Sequence, residues 1–321
     1  MDNFEFLSHD GVSVIHGVIW KPEEANYPVP KGIIQLSHGM VEYIERYSGM
    51  AQYLNEQGYV VFGNDHVGHG QSVNTGEDWG YFGDKDGGRL LVEDLHTVTE
   101  KAKDLYPGLP LILIGHSMGS FMVRRYIMEY GTEADAAIIM GTGNQPFPLL
   151  LAGKTLVSLI GLFRGDRYRS TFASNVMFGT YNKKIPDAVS PHAWISSDVE
   201  EVETYDANPA CTFLFTINGM KMLMNTIWYI KKKKNIDNIP KDLPILLLSG
   251  KEDPVGSYGK DVLRVRDIFR AAHIKNVHCK LYKGCRHELQ NECRKEEVFS
   301  DIVRWIEAQK NGILIKTERE G

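Results

Sequence analysis

Leu111-Ile112-Leu113-Ile114-Gly115-His116-Ser117-Met118-Gly119-Ser120-Phe121-Met122-Val123 decides how the chain is read. Its first four residues are an apolar, β-branched-rich run that reads as a buried strand. Phe121, Met122 and the residues to Ile127 space apolar positions three to four apart, as a helix does. Between them lies Gly115-His116-Ser117-Met118-Gly119. G-x-S-x-G between a strand and a helix holds a serine on a strained turn at the top of a sheet, the nucleophile elbow. Small-residue turns ahead of helices are common, so the pentapeptide alone is weak. Its strand-turn-helix setting makes Ser117 a candidate nucleophile.

Working outward, residues 3–7 and 12–20 alternate as two strands around Ser8-His9-Asp10-Gly11. A strand at 32–37 ends in His38-Gly39-Met40, and a helix over 43–57 leads to a strand at 59–62. That strand empties into the Gly/His-rich loop Asp65-His66-Val67-Gly68-His69-Gly70-Gln71-Ser72. A helix over 89–105 precedes the elbow strand, and Ala136 to Met140 is the next buried strand. From 144 to 235 the pattern holds helices and no clear strand. Alternation resumes with a strand at 244–249, a helix at 261–272, a strand at 277–282 and a last helix at about 295–309. Eight strands alternating with helices predict an α/β fold with a mostly parallel sheet covered on both faces. The expected division is a core of residues 1–143 and 236–321, with a helical cap, 144–235, inserted after the sixth strand.

The chain has 321 residues, 43% hydrophobic and 24% charged, and a net charge of −5, which argues against a nucleic-acid footprint. The acidic start, Met1-Asp2-Asn3-Phe4-Glu5, shows no signal-peptide pattern, and the apolar stretch near 149–163 is interrupted by Lys154 and is too short for a span. Cys211, Cys279, Cys285 and Cys293 follow no metal or disulfide spacing, so reduced thiols in a cytoplasmic protein are expected.

A serine hydroxyl needs a base and a group that orients the base. In this kind of fold the chain order is serine, acid, histidine. Ser249-Gly250-Lys251-Glu252-Asp253-Pro254 follows the strand at 244–249 and offers Asp253, with Glu252 as neighbouring competitor. Lys283-Gly284-Cys285-Arg286-His287-Glu288 follows the last strand and offers His287; His273 and His278 are poorer placed. The N–H of Met118 and that of Met40 are the expected oxyanion donors. His38, His66, His69 and His116 bring a metal site to mind, but no Cys or carboxylate cluster completes a ligand set. Serine chemistry of this kind requires no metal or organic cofactor.

Taken together, the motifs Ser37-His38-Gly39-Met40 with Glu45-Arg46-Tyr47, Asp65 to Ser72, Gly115 to Gly119, Ser249 to Asp253, and His287-Glu288 with Asn291-Glu292 resemble those of the monoacylglycerol lipase and lysophospholipase group of α/β-hydrolases, often labelled serine aminopeptidases. The resemblance covers nearly the whole chain, and Ala193-Trp194-Ile195-Ser196-Ser197-Asp198 with Tyr205, Asn208-Pro209 and Cys211 extends it to bacterial lysophospholipase-type members. It implies Ser117, Asp253 and His287 as the triad. The chain departs from the family's H-G-x-G-E-H at Val41 and Tyr43, where the family has glycine and histidine, at the mouth of the acyl site.

These readings predict an ester hydrolase for monoacylglycerol-like, lysophospholipid-like or simpler acyl esters, with Val41, Tyr43, Trp194 and Met220 touching substrate. A proline-releasing aminopeptidase is an alternative, with Glu200, Glu201 and Glu203 holding a substrate amine; a non-catalytic binding homologue is another. The cap segment carries 11 Lys/Arg against 7 Asp/Glu, a surplus of four positive charges, four of the eleven being Lys231 to Lys234. That run is read either as a solvated helix end or as a transient contact with anionic lipid surfaces.

Overall fold

The computed structural model describes residues 1–83, 86–186 and 188–309. Eight strands form one sheet: β1 Asp2–Leu7, β2 Val14–Trp20, β3 Ile33–Ser37, β4 Val60–Asn64, β5 Leu111–His116, β6 Ala136–Met140, β7 Ile245–Gly250 and β8 Val277–Tyr282. The helices are α1 Ser48–Glu56, α2 Gly87–Leu105, α3 Met118–Glu129, α4 Phe147–Arg164, α5 Thr171–Phe178, α6 Val199–Ala207, α7 Ile217–Ile230, α8 Lys233–Ile236, α9 Lys260–Ala271 and α10 Lys295–Ala308. The spatial order is β1-β2-β4-β3-β5-β6-β7-β8. β2 runs antiparallel to both β1 and β4, and every other pair is parallel. This is the mostly parallel α/β sheet that the strand-helix alternation predicts, in the α/β-hydrolase form that the resemblance implies.

The apolar runs are continuous because both faces of the sheet are covered. Leu111 and Leu113 pack on the side of α2, α3 and α9, whereas Ile112 and Ile114 pack on the side of α1 and α10. β6 divides in the same way, with Ala137 and Ile139 on one side and Ile138 and Met140 on the other. From β3 the chain moves through α1 to β4 on one flank, and from β5 through α3 to β6 on the other. Such a reversal opens a crevice at the carboxyl ends of the two strands, where ligands of open α/β sheets bind. His38-Gly39-Met40 and Ser117 stand at that point.

The predicted helix over 43–57 is a 3-10 turn, Ile44–Tyr47, followed by α1. Here side-chain anchors override the helical pattern. Asp65 Oδ1 takes the Ile44 N–H at 2.8 Å, and the side chains of Arg46 and Tyr47 are both tied to Glu42. Between β6 and β7 the described residues hold helices and one isolated bridge, Arg169 to Thr216. Among them α7 packs on α3 and α4, and so hangs this segment over the strand tips.

Candidate active site

Ser117 is the first residue past β5 and adopts φ 52°, ψ −117°, a conformation that costs energy for any side chain but glycine. The surroundings hold it there. Its N–H donates to the Met140 carbonyl at 3.0 Å. A side chain on Gly119 would lie 2.0 Å from the Ser37 carbonyl oxygen, and one on Gly115 would meet the Gly119 carbonyl at 2.3 Å. The two glycines let α3 leave the sheet at this sharp angle.

Asp253 follows β7 and is fully buried. Its Oδ2 is 3.0 Å from His287 Nδ1 and accepts from Ser249 Oγ at 3.2 Å, and its Oδ1 accepts from the Val255 N–H at 2.8 Å. Glu252, the competing acid, is exposed and accepts instead from the Gly284 N–H. Burial works against both members of the Asp253–His287 pair, and their mutual attraction outweighs it. The Asp253 charge and hydrogen bond raise the pKa of His287, and His287 holds the Asp253 carboxyl below its usual value. Because a carboxylate accepts, Nδ1 of His287 carries the proton, and Nε2 is left without a partner among the described residues. His273 ends α9 in the left-handed region, at φ 64°, and His278 lies on β8, both away from the strand tips.

Ser117 and His287 open into one cavity of about 620 Å³, also lined by Met40, Glu42, His116 and Met118. The Met118 N–H is the first of α3, ahead of the helix's own hydrogen-bond ladder, so it is open to a ligand. Phe121, Leu149, Leu150, Leu156, Leu223 and Ile227 make the long apolar wall, so α4 and α7 supply much of the surface. Among the described residues, no lysine or arginine lines the cavity.

Two of the four residues expected to touch substrate lie here, Val41 and Trp194; the other two do not. Trp194 packs its ring 5.1 Å from that of His287. Val41 sits at φ 57°, where a β-branched residue is strained and the family's glycine is not, and its carbonyl accepts from Tyr205 Oη at 2.8 Å. Tyr43 faces a separate cleft of about 440 Å³ with Arg46 and Lys295, because Asn208 Nδ2 holds its hydroxyl at 3.1 Å. Met220 is buried in the core one turn before Leu223, beyond the cavity's edge. Glu200, Glu201 and Glu203 stand on α6 and none lines the cavity.

A largely buried brace at the cavity's edge joins residues whose spacing in the sequence gives no sign of it. Glu42 accepts from the Gly39 N–H at 2.5 Å, from Tyr47 Oη at 2.9 Å and from Arg46 Nη1 at 3.0 Å, and His116 Nδ1 is 3.1 Å away. Arg46 also grips Glu288, with Nη1 on Oε1 at 2.8 Å and Nη2 on Oε2 at 2.7 Å. Glu42 is held well below the usual carboxylate range despite its burial, by His116 and Arg46. The four-histidine group is organised differently from a metal site. His38 Nε2 accepts from the His66 N–H, His66 Nε2 meets Ser37 Oγ, and burial pulls His66 down to about 4 and His69 to about 3, leaving neutral rings.

A serine at a strained strand-to-helix turn, with an Asp–His pair at later strand tips of a doubly wound sheet, defines the α/β-hydrolase class. The family model described as serine aminopeptidase, S33 matches residues 28–294. The chain is 27% identical to the monoacylglycerol lipase of Mycolicibacterium smegmatis over 94% of this chain and 95% of that one. It is also 27% identical to the monoglyceride lipase of Homo sapiens, covering 89% and 84%. A carboxyl esterase from Bacillus coagulans, solved in complex with glycerol, superposes with a TM-score of 0.88 at 30% identity, covering 97% of this chain and 98% of that one. The chain belongs to the serine aminopeptidase, S33 family, as a monoacylglycerol lipase-type α/β-hydrolase.

Proposed function

We propose that this carboxylic-ester hydrolase cleaves uncharged monoacylglycerol-like esters through an acyl-enzyme on Ser117. His287 Nε2 takes the Ser117 proton as Oγ attacks the carbonyl, and Asp253 keeps the imidazole in the tautomer that can accept it. The N–H groups of Met40 and Met118 receive the developing oxyanion, each such donor contributing about 3–4 kcal/mol to the transition state. His287 then protonates the leaving alkoxide, and water, activated by the same histidine, releases the acid.

The observation that carries this reading is the composition of the single cavity holding Ser117 and His287. Its apolar wall fits an acyl chain, and among the described residues its polar end holds no lysine or arginine. A phosphate headgroup would have to lose its hydration there without a guanidinium or ammonium group to face, a severe cost. A glycerol moiety would lose none of that charge solvation. The cavity's charge argues against the aminopeptidase: its two carboxylates among the described residues, Glu42 and Glu288, are both paired with Arg46, so neither is left to hold a substrate amine. The complete Ser117, Asp253 and His287 set argues against a non-catalytic homologue.

Residues 144–235 form the cap in this reading. Of the eighteen residues of α4 only Leu150 and Val157 are buried; Leu151, Leu159, Leu162 and Phe163 are exposed, with Phe172 and Val176 of α5 beside them. α4 extends the apolar stretch to the eighteen residues Phe147–Arg164, long and apolar enough to cross a membrane by length and composition, which corrects the expectation that this stretch is too short for a span. It leaves β6 and packs along α7, so we assign it an interfacial role, resting on a lipid surface at the cavity's mouth. The Lys231–Lys234 run supports that contact weakly, because Lys231 bonds Asn144 and Lys233 pairs with Asp237. Four free thiols fit the reducing cytoplasm.

A fluorophosphonate probe tests the mechanism: labelling is expected in the wild type and absent in Ser117→Ala, and labelling that persists in that variant sinks it. Turnover of 1-monoacylglycerol against lysophosphatidylcholine of equal chain length tests the substrate class. Faster cleavage of the lysophospholipid overturns the preference for an uncharged headgroup.

A further inference from the structure

We infer that His192, oriented by Asp206, is the group on the cap that recognises a free hydroxyl on the leaving alcohol. The inference rests on the ester-hydrolase reading above and concerns which alcohol the site prefers.

His192 lines the same cavity as Ser117 and His287. Its Nδ1 is 2.5 Å from Asp206 Oδ1, and Ser190 Oγ closes the unit by donating to Asp206 Oδ2 at 2.5 Å while accepting from the His192 N–H at 2.9 Å. The ring packs 5.1 Å from that of Tyr205. A carboxylate accepts, so Nδ1 donates to Asp206 and Nε2 is the ring nitrogen left to meet a ligand. Nε2 has no hydrogen-bond partner among the described residues, and the catalytic steps above do not use it. The arrangement resembles that of His287 with Asp253, but among the described residues no serine hydroxyl donates to this imidazole, so it is not read as a second nucleophilic site.

The segment that carries it is tied to the loop of His287. Arg286 Nη1 donates to the carbonyls of Ala193 and Ser196, at 2.6 and 2.7 Å, and the Glu288 N–H donates to the Ile195 carbonyl at 2.7 Å. Asn182 holds the same strap from the other side, through the Trp194 N–H and the Ser190 carbonyl. The strap 190–196 is thus clamped onto the loop that carries His287. The alcohol leaves on the side of His287, because that residue must hand it a proton. An acceptor fixed over this side favours esters whose alcohol keeps a second hydroxyl, such as glycerol, over simple alkyl esters.

The experiment compares kcat/KM for a 1-monoacylglycerol and for the ethyl ester of the same acid. In His192→Leu the glyceryl-to-ethyl ratio is expected to fall about tenfold, chiefly through KM, as for a lost hydrogen bond in a desolvated site. In His192→Gln, which keeps an acceptor, the ratio is expected to recover in part. An unchanged ratio in His192→Leu, or a parallel loss of kcat on both esters, overturns the inference and leaves the hydrolase reading intact. Wild-type enzyme that cleaves the ethyl ester and not the glyceryl ester overturns the substrate reading itself, before any variant is made.

Discussion

Arg46 and Glu288 stand 242 positions apart in the chain and meet in a two-pronged ion pair, with Nη2 2.7 Å from Oε2, Glu288 buried and Arg46 nearly so. Arg46 is simultaneously paired with Glu42, whose other oxygen holds the Gly39 N–H one residue before Met40. One guanidinium therefore joins the loop expected to bind the oxyanion to the residue next to His287, across the crevice.

Breaking this brace should cost both stability and rate. Arg46→Met leaves two buried carboxylates without a cation, and such removals destabilise by about 3–5 kcal/mol. Chemical denaturation should register that loss, and fluorophosphonate labelling should slow about tenfold or more as the Met40 amide loses its position. The triple change Glu42→Gln, Arg46→Met, Glu288→Gln removes the stranded charges, so it should be less destabilised than Arg46→Met alone. The opposite order would show that the brace is not acting through its charges.

His287 must be neutral to accept the serine proton, and its pKa is raised by Asp253. The acid limb of kcat/KM for an uncharged ester should therefore have its midpoint above 6.5, with activity rising through it. Folding shows the reverse dependence: a raised folded-state pKa means protonation favours the native state, so this contribution is full below about 6.5 and is lost as pH rises through the raised value. Asp253→Asn should lower the midpoint and cut the rate by about 10⁴. A midpoint unmoved in that variant would separate Asp253 from His287.

Leu162 and Phe163 lie at the exposed end of α4. Leu162→Asp with Phe163→Asp should release the protein from sedimenting lipid vesicles, at high salt as well as low, because the contact is apolar. Hydrolysis of a water-soluble short-chain ester should stay within about twofold. Vesicle binding that survives this change but disappears on raising the salt would move the contact to the lysines.

His273 occupies the left-handed position past α9, with its N–H on the Arg270 carbonyl and the Ile274 N–H on that of Phe269. Glycine suits this position without strain. His273→Gly should stabilise by about 0.5–1 kcal/mol, and His273→Val should destabilise, both read as shifts in thermal midpoint.

Local pattern carried much of this protein. The buried strands, the elbow around Ser117 and the two later strand tips bearing Asp253 and His287 are written in short-range periodicity and in Gly, Asp and His at turn positions, because backbone geometry depends on near neighbours. Distance along the chain hid the rest. Glu42, Arg46 and Glu288 become one brace only when loops after different strands close on each other, while Asn208 holds Tyr43 in a separate cleft and the packing of α7 buries Met220 in the core. Residues Ser190, His192 and Asp206 read as ordinary polar positions until the strap is clamped over His287. The order of nucleophile, acid and base is a property of the sequence. The shape and charge of the space above them are properties of the tertiary packing, since Arg46 meets Glu288 across 242 positions and His192 meets Asp206 across 14.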